Sequence, residues 1–153
     1  GLSYNVQMED MITILDNAIK GGYTISWAAD VSEKYFSWRN GIAYVPDTPY
    51  KEMTDAHKEG MFSGPRPEMA ITADVRQAGY DNYTTTDDHG MQIIGLVKDQ
   101  EGKEWYKVKN SWGTGNALGG YFYVSEAYFK YKTISVMLHK DAVDKGMSKK
   151  LGF

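Results

Sequence analysis

The sequence contains no cysteine among its 153 residues. Within this chain, that absence excludes disulfide bonds, thiolate metal ligands and a cysteine nucleophile. It does not fix the cellular compartment, because a secretion signal can be removed from a mature chain. Proline is also scarce, and all four prolines lie between residues 46 and 67. Residues 47–67 lack a clear helical or strand pattern, and we therefore predict an irregular surface excursion there.

Neither charge nor hydropathy indicates a nucleic acid or membrane partner. The formal net charge is -3, which gives no electrostatic attraction to a phosphate backbone. No apolar run approaches the roughly 20 residues needed to span a bilayer, and the N-terminus lacks a secretion-signal pattern. A composition of 42% hydrophobic and 24% charged residues is typical of a globular chain. We expect one domain over residues 1–153.

Apolar spacing predicts one long helix near the N-terminus. Apolar residues between positions 8 and 19 recur every three or four residues and precede a Gly-Gly pair, which is typical of an amphipathic helix and its end. Shorter helical turns are predicted at residues 32–38, 72–77 and 125–131, with Thr72 as an N-cap. Residues 141–153 combine lysines with small side chains, and we expect a mobile C-terminal arm there.

Apolar runs also predict a sheet. Its strands are expected at residues 23–29, 41–45, 89–98, 103–110, 119–124 and 132–139. About five antiparallel strands with helices at the periphery would form an α+β domain whose sheet is a half-open barrel.

Two of these strands bring a histidine towards an asparagine. The strands at residues 89–98 and 103–110 are joined by the polar turn DQEG and should form an antiparallel hairpin. His89 begins the first strand and Asn110 ends the second, so we expect them side by side. An amide oxygen beside an imidazole can accept its ring N–H and fix its tautomer. The alternative is a strand-end histidine next to an ordinary turn asparagine.

The sequence motifs around His89 and Asn110 resemble those of a known family. DHG at residues 88–90, VKNSWGTG at 108–115 and GGYF at 119–122 are similar to the histidine and asparagine blocks of papain-like cysteine peptidases. YFSWRNGI at residues 35–42 resembles a third segment of that family. WAADVS at 27–32 and GYFYVSEAYF at 120–129 are most similar to its bleomycin hydrolase and aminopeptidase C branch.

This resemblance implies roles for four side chains. His89 would be the catalytic histidine, Asn110 would orient it, and Trp112 would shield their contact from water, although Trp112 could equally be an ordinary core aromatic. Asp88 could bias the protonation of His89, or it could simply cap a turn. No cofactor is implied. We expect no metal site, since His57, His89 and His139 lack the spacing of metal ligands.

The sequence departs from the family at the nucleophile. The family carries a cysteine in its helical N-terminal half, and neither that cysteine nor its surrounding block is present here. The resemblance therefore covers the C-terminal, mostly β half, and we expect the chain alone to be inactive. Its expected partners are a cysteine-bearing N-terminal half and the peptide substrate of the full-length parent.

Two origins and two functions of this chain are compatible with its sequence. The chain could be a fragment of a longer peptidase, with Gly1 left by tag cleavage, or a naturally short relative. The alternative function is a non-catalytic peptide- or protein-binding module, and an uncovered apolar face could also form a homo-oligomer. The family branch implies a cytoplasmic location and a C-terminal tail that selects substrates with a free amino end, while periplasmic or secreted locations stay open.

Overall fold

The computed structural model describes residues 3–153, so the expectation for Gly1 lies outside the described residues. Within that range the chain forms an α+β fold, in which one seven-stranded sheet curls into a half-barrel flanked by helices. This confirms the predicted fold class. Among the described residues, no helix has the length and apolar character needed to cross a membrane.

The strands come from the whole length of the chain. Their bounds are β1 Ile25–Ala29, β2 Phe36–Ser37, β3 Ile42–Ala43, β4 His89–Lys98, β5 Glu104–Lys109, β6 Tyr121–Ser125 and β7 Thr133–Met137. They lie in the order β2-β3-β6-β5-β4-β1-β7. All neighbours are antiparallel except β3 and β6. The expectation of a wholly antiparallel sheet was wrong there, because β2 and β3 form their own hairpin and β3 then runs alongside β6 in the same direction.

The helices cover the core face and the ends of this sheet. Their bounds are α1 Met8–Lys20, α2 Asp55–Gly60, α3 Ala73–Asp81, α4 Glu126–Lys132 and α5 Lys145–Leu151. α1 is the predicted amphipathic helix, and its apolar stripe, including the fully buried Leu15, packs into the main core. Gly22 ends it in a left-handed conformation with φ of 85°. The predicted α3 and α4 are also confirmed, with Thr72 and Ser125 as their N-caps.

The predicted helical turn at residues 32–38 was wrong. This segment turns instead into β2. Tertiary contacts override the local helical preference, because the Phe36 ring packs edge-on against Phe122 at 5.2 Å and the Trp38 ring against Trp112 at 5.5 Å.

The surface excursion at residues 47–67 has more order than predicted. It contains a 3-10 turn at Tyr50–Glu52 and the short helix α2, which Thr54 caps by accepting the His57 N–H. A bridge between Pro46 and Glu68 closes the excursion at its base. The excursion is therefore a closed unit at the margin of the sheet.

The expected mobile arm at residues 141–153 was also wrong, because the tail folds into α5. Asp144 caps this helix, and Gly152 ends it in a left-handed conformation. The Lys150 ammonium lies 2.5 Å from Asp10, and the Phe153 ring lies 5.0 Å from that of Tyr4. The tail thus contacts the N-terminal part of the chain.

The β4–β5 hairpin positions the candidate site. The predicted pairing of these strands is confirmed, with Lys98 opposite Glu104 near the turn and Gln92 opposite Lys109 near the open end. In the turn, Asp99 accepts N–H groups from Glu101 and Lys103. A bulge between residues 93 and 95 shifts the register once along the hairpin. His89 therefore lies at the open end.

Candidate active site

The structure brings His89 and Asn110 into contact at the open end of the hairpin. His89 Nε2 lies 2.7 Å from Asn110 Oδ1. The ladder ends at Gln92 and Lys109, and continuing its register by three residues would set Trp112 across from His89. Asn110 is consequently a diagonal neighbour of His89 rather than the directly opposite residue that the sequence suggested. Diagonal neighbours remain within reach of a long or aromatic side chain.

The orientation of the Asn110 amide determines which imidazole nitrogen carries the proton. Asn110 Oδ1 also accepts the backbone N–H of Ser111 at 2.7 Å. A backbone N–H can only donate, so the atom facing both partners must be the amide oxygen rather than the nitrogen. His89 Nε2 must therefore donate, and in the neutral ring Nδ1 keeps the lone pair. The imidazole then has a defined acceptor nitrogen directed away from Asn110.

The other end of the Asn110 amide is a buried donor. Asn110 is only 3% exposed, and its Nδ2 has no hydrogen-bond partner among the described residues. Leaving a buried donor unpaired costs about 1–3 kcal/mol. The buried Asn110 amide therefore lowers the stability of the fold locally, and such costs are common at functional sites.

Trp112 covers the imidazole. Its ring centroid lies 4.6 Å from that of His89, with 31° between the planes. Trp112 is itself 44% exposed, and its indole covers one face of the His89 ring. Removing water from one side lowers the local dielectric and strengthens the hydrogen bond to Asn110.

Two further aromatic residues support Trp112, and sequence reasoning missed both. Phe36 and Trp38 pack edge-on against the indole at 5.9 Å and 5.5 Å. Edge-to-face packing of this kind restricts the ring that faces His89. Their alternation in the segment YFSWRNGI is the pattern of a strand, although the same segment also fits a short helical turn.

Asp88 joins the segment before His89 to the segment after β1, and no turn is capped by it among the described residues. Its Oδ1 accepts the Val31 N–H at 3.0 Å. Burial raises the pKa of Asp88, while the Val31 hydrogen bond and the charge of His89 act in the opposite direction. The carboxyl is thus placed to interact electrostatically with the imidazole.

The other two histidines lie away from this site. His57 is in α2 of the surface excursion, and His139 stacks on Tyr23 with ring centroids 5.8 Å apart. Within residues 3–153, no group of three or more histidine, aspartate or glutamate side chains could hold a metal ion.

The half-barrel sheet and its flanking helices are those of the β-rich half of the papain-like peptidase fold. The chain belongs to the Peptidase C1-like family, whose model matches residues 2–152.

Individual relatives match over shorter stretches. Aminopeptidase G of Lactobacillus delbrueckii subsp. lactis is 33% identical over 57 residues, which cover 37% of this chain and 13% of that protein. Ananain of Ananas comosus is 32% identical over 89 residues, which cover 54% of this chain and 21% of that protein. The crystal structure of PepW from Lactobacillus rhamnosis HN001 (DR20) superposes with a TM-score of 0.65 at 19% identity, over 95% of this chain and 30% of that one. The chain thus matches less than a third of the length of each.

Proposed function

We propose that this chain supplies the proton-transfer half of a papain-like thiol peptidase site. In this proposal His89 is the general base and acid, Asn110 orients it, and Trp112 shields their contact. The observation that carries the proposal is the 2.7 Å contact from His89 Nε2 to Asn110 Oδ1. Because Ser111 fixes the amide orientation, that contact leaves Nδ1 free to receive a proton.

The chemistry requires a thiol that these residues do not contain. The thiolate would come from a segment outside these 153 residues, in the same polypeptide or in another, because the sequence has no cysteine. His89 Nδ1 would take the thiol proton, and the thiolate would attack the scissile carbonyl. The imidazolium would then return that proton to the leaving amine, forming an acyl-thioester. Water would hydrolyse this ester with His89 again as the base.

The Asn110 hydrogen bond assists both proton transfers. It holds the imidazole in one tautomer, so Nδ1 needs no rearrangement before it accepts a proton. When Nδ1 is protonated, the positive ring strengthens its bond to Asn110 Oδ1, because charge-assisted hydrogen bonds are stronger than neutral ones. The same contact therefore orients the base and stabilises the acid.

We place the chain in the aminopeptidase C and bleomycin hydrolase branch as part of the same proposal. The similarity to aminopeptidase G supports this branch. Substrates would then be peptides with a free amino end, cleaved from that end.

Reconstitution of the site tests the proposal. The chain is mixed with a cysteine-bearing N-terminal half of a related peptidase and assayed on an aminoacyl fluorogenic substrate. We expect no turnover by the chain alone, turnover by the mixture, and a loss of at least about a hundredfold with His89→Ala. His139→Ala is the matched control, because it removes a histidine that stacks elsewhere, and it should retain activity.

Two outcomes would contradict the proposal. One is a mixture that assembles, as judged by co-elution, yet shows no turnover. The other is a reconstituted activity that His89→Ala and His139→Ala affect equally. Assembly without turnover would favour the alternative of a peptide- or protein-binding module.

A further inference from the structure

The segment that leads into His89 is held by buried ionic side chains. Residues 84–88 are the last part of the connection between α3, which ends at Asp81, and β4. They form no strand or helix of their own. Their position depends instead on contacts with side chains of the segment after β1 and of α4.

Asp30 provides the first of these contacts. It directly follows Ala29, which pairs with His89 across β1 and β4. The Asp30 side chain is 1% exposed. Its Oδ2 accepts the backbone N–H of Thr86 at 2.8 Å, and its Oδ1 accepts the N–H and hydroxyl of Ser32 at 2.8 and 2.7 Å. The carboxylate thus joins the strand next to His89 to the segment before His89.

The backbone of Asp30 is also held by hydrogen bonds. Its N–H donates to the Lys132 carbonyl at 3.0 Å, and its carbonyl accepts the Tyr128 hydroxyl at 2.8 Å. Both partners belong to α4 and are fully buried. The carboxylate therefore projects from a rigid base, so a bond from its Oδ2 transmits that position to Thr86.

Lys132 acts on the same segment from the other side. Its ammonium is completely buried, pairs with Glu33, and donates to the Thr84 carbonyl at 2.6 Å. A buried ammonium is stable only when paired and hydrogen-bonded. Lys132 Nζ also lies 3.3 Å from the Thr85 hydroxyl. The three consecutive residues 84–86 therefore each contact one of two buried ionic side chains, Asp30 or Lys132.

The geometry requires a carboxylate at position 30. Both oxygens of Asp30 face backbone N–H donors, from Ser32 on one side and Thr86 on the other. An asparagine of the same shape has one oxygen and one NH2 group, so it must present a donor to one of these two N–H groups. The isosteric change therefore breaks one of the two connections and leaves unpaired donors in a buried site.

We propose that Asp30 is a positioning residue for His89, and that its carboxylate sets the orientation of the imidazole by fixing the Thr86 backbone and, through it, the segment that delivers His89 to Asn110. Its importance for catalysis rests on the function proposed above. Its effect on the His89 ring does not, because the ring can be observed in this chain alone.

The variant Asp30→Asn tests this inference by NMR on the intact chain. The readout is the exchange with water of the proton on His89 Nε2, which the bond to Asn110 and the indole of Trp112 protect. We expect this proton to exchange at least about tenfold faster in Asp30→Asn than in the parent chain. A tenfold increase corresponds to the loss of about one net hydrogen bond from the conformation in which the proton is protected. The Thr86 amide should exchange faster as well.

Glu68→Gln is the matched control for a merely structural effect. Glu68 is also a buried carboxylate, and it accepts the Val45 N–H at 2.9 Å and the Ser125 hydroxyl at 2.5 Å. It pairs with Lys103 beside the hairpin turn, and β4 extends for roughly 30 Å between that end and His89. The control should lower global stability while leaving His89 Nε2–H exchange within about twofold of the parent chain.

Ser32→Ala gives a second, milder variant. It removes the hydroxyl that donates to Asp30 Oδ1 but leaves the carboxylate and its bond to Thr86. We expect an increase in His89 exchange of about threefold, and this variant decides the question if Asp30→Asn does not fold.

The inference is overturned if folded Asp30→Asn keeps the parent exchange rate, or, where Asp30→Asn does not fold, if Ser32→Ala keeps it. It is also overturned if Glu68→Gln accelerates exchange as much as Asp30→Asn or, in its place, Ser32→Ala. Failure of the reconstituted peptidase would leave these NMR results untouched, so the two proposals fail separately.

Discussion

The contact between His89 and Trp112 can be measured by a double-mutant cycle. Their ring centroids lie 4.6 Å apart, and aromatic pairs at such distances contribute about 0.5–1.5 kcal/mol beyond burial. Trp112→Ala also removes contacts with Phe36 and Trp38. We expect this variant to lower the free energy of unfolding by about 2–3 kcal/mol, less than for a fully buried tryptophan. The cycle with His89→Ala should give a coupling energy of about 1 kcal/mol, because the other contacts cancel.

Urea unfolding followed by far-ultraviolet circular dichroism measures all four chains of the cycle. The measurement is made at a pH where the imidazole is neutral, so that only stacking and shielding are compared. The control cycle pairs Trp112→Ala with His139→Ala, whose ring stacks on Tyr23 instead. Its coupling energy should be below about 0.3 kcal/mol. A His89–Trp112 coupling no larger than that of the control would refute the assignment of Trp112 as the cover of the imidazole.

Three further substitutions test the surrounding structure by urea unfolding. Glu68→Gln breaks the ion pair with Lys103. It should cost about 1–2 kcal/mol, because the Glu68 side chain is 7% exposed but that of Lys103 is 39% exposed, so solvent screens part of the pair. A loss below about 0.5 kcal/mol would argue against a structural role. Hydrogen bonds, chiefly from the Trp105 indole, hold the pKa of Asp99 below its usual value, so its stabilisation is present at neutral pH and lost as pH falls through that lowered pKa. Asp99→Asn should therefore lower the urea midpoint at neutral pH and not in strong acid, and a pH-independent difference would count against this. Thr72→Ala removes the α3 cap and should cost about 1 kcal/mol, whereas an unchanged midpoint would contradict the cap.

The parts of the site that sequence could predict are those set by local signals. The DQEG turn and the apolar runs on either side define the β4–β5 hairpin, and this brings His89 near Asn110 without any knowledge of the rest of the fold. The diagonal geometry was not predictable, because it depends on a bulge at residues 93–95 and on where the ladder ends.

Other elements of the fold depend on partners distant in sequence or on short local signals. Phe36 lies in a strand because its ring packs on Phe122, which is remote in sequence. No local signal shows that Asp30 is buried, although Asp30 followed by Ser32 two residues later is typical of a side-chain turn. By contrast, Asp144 and Gly152 are ordinary helix start and stop signals, and they could have predicted α5.

We infer that Asn110 holds the proton of neutral His89 on Nε2 and leaves Nδ1 as the acceptor. Long-range proton–nitrogen NMR of the imidazole measures this directly. We expect a single tautomer with a slowly exchanging Nε2 proton, which becomes rapidly exchanging in Asn110→Ala. A proton on Nδ1 in the parent chain, or the same rapid exchange in both chains, would contradict it.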